Sequence, residues 1–167
     1  KRQVYRAISS SPELDSLSNG ELKLDFGLTV DPVSAIVNAV VSSVQIIFTP
    51  FSANGGSFTK GGITVLIQPT DYQNLLGLSI SKQPIDGGSL PWLQWLLLEG
   101  DSIIIANFGV EYSNEAQGRA GPARMTRQAR PFRVNPKFSG TKDDNFITRS
   151  LSGRILEIEK AIKEVLY

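Results

Sequence analysis

The sequence predicts an α+β fold with a mostly antiparallel sheet, and three observations carry that expectation. Capped, Pro-opened helical segments fill residues 1–43. Runs rich in β-branched and aromatic residues, bounded by Gly and Pro, follow over 44–138. Residues 143–167 then carry an apolar stripe of helical period. At 167 residues the chain reads as one domain, 1–167, long enough to bury a sizeable core without metals or disulfides. Its 41% hydrophobic and 20% charged content is that of a folded chain rather than a disordered one.

The helical layer comes first. Val4 and Ile8, four apart in "KRQVYRAI", read as the end of a helix whose beginning lies upstream, and the start at Lys1 without Met suggests a trimmed or partly resolved product. In "SSPELDSL", Ser11 is the expected N-cap and Pro12 the first helical residue. Ser18 and Glu21 have the spacing of a capping box, and Gly27 can close that turn in the left-handed region. "DPVSAIVNAVVSSV" sets Asp31 as cap and Pro32 as opener, with an apolar face at Val33, Ile36, Val37, Val40 and Val41.

"VQIIFTPF" is expected to be a strand stopped by Pro50, and "GGITVLIQP" its antiparallel partner. The Gly-rich "SANGGSFTKGG" between them reads as a loop or hairpin tip. "TDYQNLLGL" suggests a short helix capped by Thr70 or Asp71. In "SLPWLQWLLLEGD", the most apolar stretch, Ser89 caps, Pro91 opens a short helix and Gly100 closes it. "SIIIANFGVEY" and "ARMTRQARPFRV" read as two long strands joined by the polar "SNEAQGRAGP", making a basic hairpin over 111–134. The last segment, 143–167, reads as a helix with Thr141 or Asp143 at its cap. Its stripe is Ile147, Leu151, Ile155, Ile158, Ile162 and Val165, and Gly153 can kink it.

Few signatures of catalysis are present. There is no cysteine and no histidine, so thiolate chemistry and the commonest general base are missing, and no G-x-S-x-G elbow frames a serine. "ANGGSFTKGG" lacks the order of a phosphate-binding loop and precedes a strand instead of a helix. Asp143, Asp144 and Asn145 in "KDDN" can hold a hard cation, but a helix cap is the favoured reading. Trp92 and Trp95, on one helix face with Leu96, fit core packing better than a base-stacking platform. The longest apolar runs are four or five residues, far short of a membrane span, and no signal-peptide pattern opens the chain. No enzyme activity, cofactor, metal or membrane partner is expected.

The net charge of +1 hides a strong asymmetry. Residues 1–115 hold six Lys/Arg and eleven Asp/Glu, whereas "GRAGPARMTRQARPFRVNPKFSGTK", residues 118–142, holds seven Lys/Arg and no acid. In a strand Arg124 and Arg130 share one face while Arg127 and Arg133 share the other, so a monomer's core cannot bury both. Arg119 and Arg124 flank "AGP", which makes the hairpin tip basic. Three readings stay open: a solvated strand whose arginines meet Glu111 and Glu115 across the hairpin, contact with an acidic partner subunit, or a sequence-blind surface facing DNA phosphates.

The order of these pieces resembles a known family. "AISSSPELDSLSNGELKLDFGL", "LPWLQWLLLEGDSIIIANFGVEY", "RAGPARMTRQARPFRV" and "NPKFSGTKDDNFITRSL" together resemble the neck or tail-completion group of minor tail proteins of tailed bacteriophages, across most of the chain. The resemblance implies a non-catalytic virion protein, an antiparallel sheet flanked by helices, and a homo-oligomeric ring at the head–tail junction, hexameric by expectation. Such a ring would join connector or head-completion proteins to the tail tube or terminator around the DNA channel, after assembly in the host cytoplasm. Arg119, Arg124, Arg127, Arg130, Arg133 and Lys137 would then line the lumen, with non-specific contact to genomic DNA, or dock on a neighbouring ring. "NFITRSL" and its continuation would pack on the sheet or on an adjacent protomer. The departure is at the N-terminus, where the group leads one to expect a longer preceding helix. The alternative reading, from another class, is an oligomeric module that grips nucleic acid without sequence preference.

Overall fold

Helix formation at the N-terminus follows the capping chemistry. The computed structural model describes residues 1–50, 52–54, 57–59, 61–85, 88–100, 109–112, 123–126 and 134–166. Helix α1 spans Arg2–Ser9 and buries Val4, Ala7 and Ile8. Helix α2, Pro12–Asn19, starts as expected: Ser11 Oγ accepts from Leu14 N at 3.2 Å, with Pro12 as first residue. The capping box expected at Ser18 and Glu21 does not form. Ser18 lies inside α2 and donates to Asp31 Oδ2 at 2.8 Å, and Ser16 Oγ accepts from Leu22 N in the short helix α3, Glu21–Asp25. Gly20 makes this possible, because a Cβ there would sit 2.8 Å from the Ser16 Cα. Gly27 takes the left-handed φ of 61° expected of it. Helix α4, Val33–Ser42, buries Ile36, Val37 and Val40, and Asp31 Oδ1 accepts from Val33 N at 2.9 Å.

Strand β1, Gln45–Thr49, pairs with β4, Gly62–Leu66, in the expected antiparallel sense. The expected hairpin tip carries a further short ladder, β2 at Ser52–Asn54 with β3 at Ser57–Thr59. Helix α5, Gln73–Leu76, follows a Tyr72 at φ 55°, while Asp71 Oδ1 accepts from Gln73 N at 3.2 Å. Tyr72 holds this left-handed position because its ring is buried and its hydroxyl is committed: it donates to Lys142 O at 3.0 Å and accepts from Asn145 Nδ2 at 2.8 Å. A 3-10 turn, Ser79–Ser81, leads to β5, Gln83–Ile85, paired with β6, Gly88–Leu90. Ser89 therefore lies in a strand and does not cap. Helix α6, Trp92–Leu98, is preceded by Pro91 without a side-chain cap.

Of the two long strands expected over 101–134, the described parts are β7, Gly109–Tyr112, and β8, Ala123–Thr126, paired antiparallel. The C-terminal helix expected over 143–167 is instead two. Helix α7, Phe146–Ser152, is capped by Asn145 rather than Thr141 or Asp143, and the chain turns at Gly153 before α8, Ile155–Leu166. Of the stripe, Ile147 and Ile158 are buried and Leu151 and Ile162 partly so, while Ile155, the first residue of α8, is 45% exposed.

The fold is α+β, with eight helices and four antiparallel ladders among the described residues. These ladders are separate two-stranded pairs, so the expected continuous sheet is not what the described strands form. The core is built by helices. Trp92, Phe26, Phe146, Ile8, Leu93 and Leu96 are fully buried, with the Phe26 and Trp92 rings 5.5 Å apart. Trp92 Nε1 donates to Ile80 O at 2.7 Å, which satisfies its polar edge. The two tryptophans are core residues, as their Leu-rich setting suggested.

Candidate functional site

The apolar content of β1 and β4 creates a surface of its own. Direct cross-strand partners share a face, so Ile46 with Val65 and Phe48 with Ile63 form one side of the ribbon. Ile47 with Thr64 and Gln45 with Leu66 form the other. Neither side is covered: Ile46 is 70% exposed, Phe48 69%, Ile47 45% and Leu66 48%. A two-stranded ribbon is marginal alone in water, and a cluster of large exposed apolar side chains marks a contact surface. The ribbon's foot is anchored, because Ser43 Oγ at the end of α4 donates to Val40 O and Ile67 O, at 2.7 and 2.8 Å.

Beneath the Ile46 side runs a groove of about 540 Å3, bounded by α1, the ribbon and α8. Val4, Ile63, Val65, Ile158 and Ile162 make it largely apolar, and Lys1, Arg2 and Glu164 are its charged lining. Gln3 also lines it, and its Oε1 is buried without a hydrogen-bond partner among the described residues. No periodic signal in the sequence pointed here. "QIIF" alone reads as a covered strand, because apolar residues at both parities mean burial on both faces.

The basic segment is placed in part. Arg124 lies in β8, registered opposite Glu111 in β7, which agrees in pairing with the cross-hairpin reading. Arg119, Arg127, Arg130 and Arg133, and with them Glu115, lie outside the described residues. Lys137 is exposed in a turn beyond the ribbon, with Nζ 5.1 Å from the Phe138 ring centroid. The foot of the segment meets Glu21, the residue the sequence placed in a capping box. Helix α3 packs beside β8, and Asn135 Nδ2 donates to Glu21 at 3.1 and 3.4 Å. Burial, and then the neighbouring Glu21 charge, push the Asp25 carboxyl up to about 6.

"KDDN" is a cap. Asn145 Oδ1 accepts from Ile147 N and Thr148 N, Thr148 Oγ1 accepts from Asn145 N, and Thr141 Oγ1 accepts from Asp144 N. Asp144 also pairs with Arg149 at 3.0 Å. No helix among the described residues is long and apolar enough to cross a membrane. The described residues thus hold an uncovered apolar ribbon over a groove, and the sequence adds a cation-rich stretch over 118–142. No family model, curated protein or solved structure matches this chain.

Proposed function

We propose that this chain is a structural subunit of a tailed-phage virion, a ring component of the neck or tail-completion layer that joins connector and tail around the DNA channel. The observation that carries the reading is the β1–β4 ribbon, apolar on both faces and uncovered on both. A chain that exposes Ile46, Ile47, Phe48 and Leu66 in one element needs a neighbour there, and repeated copies are the simplest supply. The segment 118–142, with seven cations and no acid, supports the channel part of the reading. A lumen that passes DNA needs positive charge that does not read sequence. The resemblance of "LPWLQWLLLEGDSIII" and "FSGTKDDNFITR" to the neck group names the setting.

The test is Ile46→Thr with Phe48→Thr. Both side chains are mostly exposed, so the monomer's stability should stay within about 0.5 kcal/mol of wild type. Assembly into rings, alone or with connector and tail components, should be lost in native mass spectrometry and negative-stain images. A double variant that still forms rings, or particle images with no density for this chain at the neck, would overturn the reading.

A further inference from the structure

We draw no further inference here: the strongest candidate, the largely apolar groove between α1, the β1–β4 ribbon and α8, carries charges of both signs in its lining, and nothing in the structure shows what covers it.

Discussion

Arg149 holds together three parts of the chain that sequence distance gives no reason to connect. Its Nη2 donates to Glu13 Oε1 at 2.7 Å and its Nη1 to Asp144 Oδ1 at 3.0 Å, joining α7 to the first turn of α2 and to the loop before α7. Glu13 is only 4% exposed, so its charge relies on this partner. Arg149→Met should cost about 3 kcal/mol, at the low end for breaking a buried pair because the guanidinium itself is partly exposed. Chemical denaturation should show the loss as a lower midpoint with an unchanged slope. Asp25 predicts a pH effect of opposite sense to most carboxylates. Its folded pKa of about 6 exceeds the ordinary 3.8, so the folded state binds more protons between those values and stability falls as pH rises through that window. Asp25→Asn should therefore stabilise the protein above pH 6 and change little below pH 4. The gain should be about 1 kcal/mol, since the group is partly exposed and its charge is screened. A variant no more stable than wild type at pH 7 would show that Asp25 is well solvated.

Asn145 does for an element what Arg149 does for residues. It caps α7 through Oδ1, and its Nδ2 donates to Tyr72 Oη at 2.8 Å and Thr141 O at 2.9 Å, all from a fully buried position. Asn145→Ala should lose the cap and leave the Thr141 carbonyl short of a donor, about 3 kcal/mol in all. It should also loosen Tyr72, and faster hydrogen exchange in α5 and α7 would report that. The elements most legible in the sequence were those whose signal is local. Ser11 with Pro12, Gly27, and the β1–β4 pairing needed only neighbouring residues to be read. What failed depended on partners far along the chain. Ser18 was spaced for a capping box, but Asp31 takes its hydroxyl and Ser16 serves Leu22 instead. Thr141 and Asp143 were plausible caps until Tyr72, about seventy residues away in sequence, selected Asn145. The site divides in the same way. Arginines at both strand parities set the expectation of a basic surface, of which only Arg124 and Lys137 fall within the described residues, whereas the uncovered ribbon was hidden, because "QIIF" looks the same whether a sheet covers it or nothing does.

Charge and apolar surface at the scale of the whole molecule act on different sides of one equilibrium, and salt separates them. The ribbon and groove are apolar, and contacts of that kind persist or strengthen as salt rises. Residues 118–142 carry cations whose hold on phosphates weakens with log salt, by a slope of about −0.9 for each phosphate neutralised on duplex DNA. A single copy offers at most the seven cations of this segment, Arg119, Arg124, Arg127, Arg130, Arg133, Lys137 and Lys142, with the Glu21 carboxylate at its foot. A ring sums the cations of all its copies on one stretch of duplex, so the binding of each copy adds to that of the others. DNA affinity should therefore follow assembly. At low salt the wild-type ring should retain duplex without regard to sequence, and at several hundred millimolar salt it should release the duplex while staying assembled. The monomer carrying Ile46→Thr with Phe48→Thr, with every cation intact, should bind at least a hundredfold more weakly at the same salt. Fluorescence anisotropy across a salt series, read beside sedimentation of the same samples, measures both equilibria at once. A monomer that binds duplex as tightly as the ring, with a slope large enough to engage five or six phosphates by itself, would assign the arginines to nucleic-acid binding in their own right and remove the reason to place them in a channel.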